Sequence, residues 1–255
     1  MARKPLPTYS KLCTEFYDLE QHVNGAQALS FYMHHAKQAS GPILEPMCGS
    51  GRFLIPMLQA GLDAEGFDAS HYMIDAFKQK YAKLSPQKAP VWQQFVQDFE
   101  STKRYKLIFI PYGSWGLITD LDEAKKGLQV LYSHLQSEGK FIVEIETIAS
   151  VPEPCGVWRR GAHTRADGSI IALSFIASYE AQTQMFQSYS RYESIVNNQV
   201  QSQQEELFEQ YLYRSDEFDQ MLHDVGFSQI KKYPAFDPTQ TVIDDTPIII
   251  YECIK

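Results

Sequence analysis

The stretch Pro42 to Phe53, PILEPMCGSGRF, constrains the fold most, because it ends an apolar run on a carboxylate, turns on two glycines and opens a helical pattern. Gly49 and Gly51 lack a Cβ, so the backbone there can take positive φ and lie against a ligand that a larger side chain would hold off. The run that follows, Arg52 to Ala60, is helical in pattern. Its first free N–H groups and the positive end of its dipole point at whatever occupies the turn. The segment therefore reads as a strand, a nucleotide-binding turn and a helix.

Dinucleotide sites use the same turn with a third glycine that packs helix on strand; that position here is Leu54. The spacing present is Glu45, Gly49, Gly51. A carboxylate at the strand end repels a pyrophosphate and suits a ligand that carries an ammonium group. S-adenosylmethionine (SAM) offers an amino group for Glu45 and a carboxylate for the helix N-terminus, joined to adenosine. A second strand, Asp63 to Asp68, ends on a carboxylate able to accept both ribose hydroxyls. A third, Val91 to Val96, leads to Asp98 and Phe99. They offer an acceptor for the adenine amino group and an apolar ring, with Ser70 to Met73 on the other side of the base.

With these residues in order the chain resembles the class I SAM-dependent methyltransferases over roughly its whole length, most strongly from Ile43 to Glu144. The motifs are ILEPMCGSGRF, GFDAS with Met73, QDFE, LIFIPYGSWGLI for the fourth strand and LYSHLQSEGKFIVE for the fifth. The resemblance implies an α/β fold with a Rossmann-like seven-stranded sheet in the order 3-2-1-4-5-7-6, the last strand antiparallel. It implies SAM as cofactor and S-adenosylhomocysteine as product. The cofactor is then expected against Tyr17, Glu45, Met47, Cys48, Gly49, Gly51, Arg52, Asp68, Ala69, Met73, Asp98, Phe99 and Pro111. One departure is plain: the family usually has a glycine two residues after the first acid, where this chain has Met47.

A length of 255 residues with 44% hydrophobic content fits one α/β domain with an elaboration. The start, MARKPLPTYSK, has no apolar signal-like run, and no later run approaches the ~20 apolar residues of a spanning helix. A soluble, cytoplasmic protein without a membrane partner is expected. Cys13, Cys48, Cys155 and Cys253 have no paired spacing, which argues against a disulfide framework and a zinc site. A net charge of −8 without a basic run works against nucleic acid as partner.

Strand and helix patterns alternate from Pro42 to Glu146, which implies a parallel sheet. Before it, Tyr9 to Lys37 reads as one or two helices with Phe16, Tyr17, Phe31 and Tyr32 on one side. His34 and His35 are adjacent, point about 100° apart on a helix and cannot share a metal; they read as surface or packing residues. After Glu146 the period becomes two, with turn signals at Asp167-Gly168, Ala181-Gln182 and Asn197-Asn198. Four antiparallel strands are expected near 156–166, 169–179, 184–196 and 199–212. A helix capped by Ser215 or Asp216 and ended by Gly226 follows, then strands near 228–235 and 247–254. The division is a helical lid (1–40), a cofactor-binding core (41–150), an inserted meander over the acceptor side (151–213) and the end of the core sheet (214–255). A homodimer surface is the alternative use of the meander.

In a parallel sheet, ligands collect outside the carboxyl ends of the strands, so the loop IPYGSWG after strand four stands at the reacting methyl. Methyl transfer from a sulfonium needs alignment more than a strong nucleophile, and alignment supplies ~7–11 kcal/mol of a barrier. The loop lacks the Pro-Pro-aromatic run of amino-directed DNA enzymes and the Pro-Cys nucleophile of base C5 enzymes. It also lacks clustered acids for a metal. A small-molecule acceptor is expected, resembling glycine-type and amino-sugar N-methyltransferases, with a nitrogen or oxygen methylated; a methyltransferase acting on protein or RNA, and a SAM-binding module without transfer activity, are the alternative readings. Tyr112 shapes that site, and His163 is the candidate base because an imidazole titrates near neutrality. Trp115, Trp158, Arg160, Arg191 and Tyr192 are the candidates for facing the acceptor.

Overall fold

The computed structural model describes Leu6, residues 8–20 and residues 25–255. Residues 21–24, within the expected helical lid, lie outside the described residues. Two helices come first, α1 (Lys11–Leu19) and α2 (Gly25–Gln38), and the alternating core follows. It runs β1 (Ile43–Pro46), α3 (Leu54–Gln59), β2 (Ala64–Asp68), α4 (His71–Ala82), β3 (Val91–Gln93), β4 (Tyr105–Ile110), α5 (Leu121–His134) and β5 (Leu135–Glu146). Four long strands come next: β6 (Arg159–Thr164), β7 (Ile170–Glu180), β8 (Met185–Val196) and β9 (Gln199–Tyr211). Helix α6 (Ser215–Val225) then returns the chain to β10 (Gln229–Pro234) and β11 (Ile248–Ile254). Among the described residues no helix is long and apolar enough to cross a membrane.

The main sheet has the order β10-β11-β5-β4-β1-β2-β3, with β11 antiparallel to both neighbours and the strands from β3 to β5 parallel. This is the expected order; α3, α4 and α5 connect the parallel pairs β1–β2, β2–β3 and β4–β5. β1 and β4 lie at the centre and are buried on both faces, so they read as apolar runs. On one face α5 and α6 pack Leu128, Leu131, Phe218 and Leu222 against the sheet. On the other, α2, α3 and α4 bring Tyr32, Leu54 and Phe77.

The inserted strands form a separate sheet, β6-β7-β8-β9, antiparallel throughout. Gly168 (φ 83) and the pair Asn197 and Asn198 (φ 50 and 61) supply the left-handed positions that the tight turns need. One face of this sheet carries α1 through Leu12, Cys13 and Phe16 against Ile171 and Tyr192.

Three local readings are corrected. β3 stops at Gln93, because the Gln94 N–H turns to the Asp68 carbonyl (2.9 Å) and its side chain closes on the Asp98 carbonyl (2.9 Å), making a short 3-10 turn at Val96–Asp98. Helix α3 spans six residues and begins at Leu54 rather than Arg52. The cap position of α6 is Arg214, since the Ser215 hydroxyl accepts from Lys232 at 2.6 Å instead of capping.

Candidate active site

A cavity of about 370 Å³ opens at the carboxyl edge of the sheet. The turn after β1 supplies Met47 and Gly49, and the end of β2 supplies Asp68 and Ala69. Met73 of α4 and Gln94 to Gln97 after β3 form one wall; Tyr112, Ser114, Leu117 and Ile118 after β4 form another. Tyr9 and Tyr17 roof it from the α1 segment, and Leu207 and Glu209 bring in β9.

Asp68 is fixed by two backbone donors, Gly49 N–H at 2.9 Å and Ser70 N–H at 2.8 Å. Burial lifts its carboxyl to about 6 against the pull of those amides. Glu45, one strand over, is 1% exposed, and its Oε2 has no hydrogen-bonding partner among the described residues. Burial, and then the charge of Asp68, push its carboxyl well above the usual range. Glu45 is sealed behind the turn and does not line the cavity. Met47 stands at φ 58, which explains why a glycine suits that position.

The two glycines divide the work. Gly49 (φ 53) forms cavity wall, and a Cβ there would meet only Met73 Sδ at 3.8 Å. Gly51 (φ 92) faces away, and a Cβ there would lie 2.4 Å from the Phe77 ring. It is needed for helix packing rather than for a ligand. Cys48 is buried beside it and outside the cavity wall.

Arg52 joins the roof to the floor. Its guanidinium lies 4.4 Å over the Tyr17 ring and 5.5 Å from the Tyr112 ring, and Nη2 donates to the Tyr17 carbonyl at 3.0 Å. Tyr112 has φ 54 and lies in the loop after β4, behind the buried Pro111, whose carbonyl accepts the Ser114 hydroxyl at 2.9 Å. The segment around α1 is held from both sides: Ser70 Oγ donates to the Tyr9 carbonyl at 2.8 Å, Asp18 pairs with Lys80 at 2.7 Å and accepts the Ser50 hydroxyl, and Glu15 pairs with Arg165 at 2.6 Å.

Several expected residues stand elsewhere. Asp98 turns outward to Lys126 at 3.4 Å, and Phe99 stacks on Phe67 at 4.8 Å inside the core. The early end of β3 moves both off the cavity, and Gln94 to Gln97 form the wall in their place. Trp115 is fully buried and fills the space over Gly127 of α5. His163 packs on Phe16 at 4.7 Å, and Tyr192 packs on the same ring at 5.9 Å, both beneath α1. Trp158 is 51% exposed and edges Tyr189, Arg160 is exposed, and Arg191 pairs with Glu205 at 3.0 Å, none of them lining the cavity. β9 contributes Leu207 and Glu209 instead, because it is the strand at the cavity-side edge of the inserted sheet. Residue type carried no signal for these; only the strand order shows which strand is the edge.

Among the described residues the cavity wall holds four acids, Asp68, Asp120, Glu123 and Glu209, and no Lys or Arg. Such a wall concentrates cations. It fits a sulfonium with an adenosine and an ammonium group, and it disfavours a pyrophosphate. Among the described residues, the Arg52 guanidinium lies next to this wall, against the Tyr17 and Tyr112 rings.

Comparison with known proteins agrees with this geometry. A family described as a methyltransferase domain matches residues 24–232. Among solved structures, a SAM-dependent methyltransferase from Clostridium acetobutylicum superposes with a TM-score of 0.75 at 16% identity, covering 91% of this chain and 92% of that one. The CcbJ methyltransferase from Streptomyces caelestis gives 0.76 at 17% identity, covering 96% and 97%. A sugar N-methyltransferase from a Streptoalloteichus species gives 0.73 at 15%, covering 98% of each. No curated protein sequence matches the chain. On the family match, which spans most of its residues, and on its fold, the chain belongs to the methyltransferase domain family and is a SAM-dependent methyltransferase.

Proposed function

We propose that the enzyme moves the methyl group of SAM to a nitrogen or oxygen of a small molecule, chiefly by positioning. The observation that carries this reading is the enclosure of the cavity: α1 roofs it with Tyr17, the β4 loop walls it with Tyr112, and β9 crosses its edge with Leu207 and Glu209. Bound there, SAM supplies an electrophilic methyl group on a sulfonium. Asp68 holds the ribose, Met73 and Gln94 to Gln97 flank the base, and Arg52 meets the carboxylate. Tyr17 and Tyr112 line the same cavity and would supply aromatic rings at the reacting end, where a cationic group is favoured over a π-face. The acidic rim of Asp120, Glu123 and Glu209 favours an acceptor that carries an amine. Relatives of the same fold include enzymes described as sugar and glycopeptide N-methyltransferases, the latter at TM-score 0.57, which supports the same acceptor class.

The test is S-adenosylhomocysteine release across amines, phenols, carboxylates, peptides and RNA. Turnover with a small amine or hydroxyl compound is expected. Turnover with RNA or a protein alone, and with no small acceptor, overturns the reading.

A further inference from the structure

Glu144 lies in β5, 2% exposed, and the cofactor site described above does not use it. Its Oε2 accepts the Tyr32 hydroxyl of α2 at 3.3 Å, and the Tyr112 backbone N–H acts on its carboxyl, favouring the charged form. Tyr112 stands in the left-handed region at φ 54. A residue with a Cβ persists there only when its surroundings hold it. Glu146, two residues on and so on the same strand face, fills the space beside Gly113. A Cβ at Gly113 would lie 2.8 Å from Glu146 Cγ. The two carboxylates therefore brace the Tyr112-Gly113 turn from below.

We infer that Glu144 is a positioning residue for methyl transfer: by tying the Tyr112 amide to the Tyr32 hydroxyl it fixes the left-handed turn, and with it the aromatic wall at the reacting end. This rests on the proposed role of Tyr112 as that wall. Burial raises the Glu144 carboxyl to about 7; the Tyr112 amide lowers it, Glu146 raises it and the Tyr32 hydroxyl lowers it. The groups facing it are Tyr112 from the end of β4, Glu146 on its own strand and Tyr32 from α2. Glu45 of β1 and Tyr233 of β10 act on Tyr32, and Arg52 acts on Tyr112. The ionised carboxylate is the stronger acceptor, so the hold on Tyr112 loosens as pH falls through that value.

The test follows the Tyr112 amide by proton–nitrogen NMR of the full chain labelled at tyrosine, from about pH 5 to about pH 9, a range that spans the usual carboxylate and imidazole values. Calorimetric titration of S-adenosylhomocysteine accompanies it. The Tyr112 amide is expected to titrate with the Glu144 midpoint, and Glu144→Gln should abolish that titration and weaken S-adenosylhomocysteine about tenfold, the equivalent of one hydrogen bond. Tyr32→Phe, which keeps the carboxylate, should move the midpoint upward because a donor to the charged form is gone. A Tyr112 amide indifferent to pH, a titration that survives in Glu144→Gln, or a midpoint unmoved in Tyr32→Phe overturns the inference while leaving the cofactor site intact. Failure of the unmutated protein to bind S-adenosylhomocysteine at any pH overturns the site itself, and the inference with it.

Discussion

Replacing Asp68 with alanine removes the acceptor that organises the Gly49 and Ser70 amides and faces the cavity. SAM binding should weaken by ~1.5–3 kcal/mol for each hydrogen bond lost to a charged group, measured by calorimetry; unchanged affinity would show that the ribose lies elsewhere. The two glycines of the turn make an opposite pair. Gly51→Ala drives a Cβ into Phe77 at a left-handed position and should destabilise the fold by more than about 2 kcal/mol in denaturant melts. Gly49→Ala bears the same left-handed cost of about 1–2 kcal/mol but meets no steric obstacle, so it should lose less stability than Gly51→Ala while reducing cofactor affinity. Equal losses in the two melts would contradict this division. Gly49 and Asp68 were legible in the sequence because the backbone chemistry of a tight turn and a strand end admits few residue types, whereas Glu45 lies sealed behind the turn and Gly51 packs against Phe77. Asp98 and Phe99 were misplaced because an acid and an aromatic side by side serve a solvated turn and a core equally well, and only the end of β3 at Gln93 separates the two.

Helix α1 shows what an element owes to a distant one. Its own cap residue, Ser10, makes no side-chain cap; Glu206 of β9 accepts the Tyr9 and Ser10 N–H groups at 2.9 and 2.8 Å, and Gln204 accepts the Leu12 N–H at 2.6 Å. The roof over the cavity is thus fastened by the inserted sheet. Glu206→Ala should cost the segment about 1–2 kcal/mol, seen as hydrogen exchange at Lys11–Leu19 accelerated roughly five- to thirtyfold. Unaltered exchange would mean that Asp18, Ser70 and Arg52 suffice to hold it. The elements themselves were largely legible: period two with Asp-Gly and Asn-Asn signals placed β6 to β9 within a few residues. The pairing of β9 with α1 was not, since Glu206 and Gln204 stand nearly two hundred residues from the helix they cap.

At the scale of the molecule, the sheet places Glu45, Asp68 and Glu144 in one buried region at its carboxyl edge, all with raised pKa values. For Glu144 the folded value of about 7 exceeds the usual 4.5. Between these values the native chain binds more protons than the unfolded one, so this group's contribution to stability falls as pH rises through the window. Glu144→Gln removes that term, so its melting temperature should gain on the unmutated protein between about pH 5 and about pH 8; parallel curves would contradict the buried ionisation. The alternation of strand and helix from Pro42 to Glu146 revealed the parallel sheet, whereas the acceptor side depends on which strand of the insert meets the cavity. That is a property of three-dimensional packing, and no local pattern in β6 or β8 records it. The central claim is that the cavity seats the cofactor with its reacting sulfur toward Tyr112. A crystal structure with S-adenosylhomocysteine tests it most directly. The account predicts adenosine between Met73 and Gln94 to Gln97, ribose on Asp68 and the sulfur beside Tyr112 with β9 in front of it. A sulfur turned away from Tyr112, or a ligand bound outside this cavity, would contradict it.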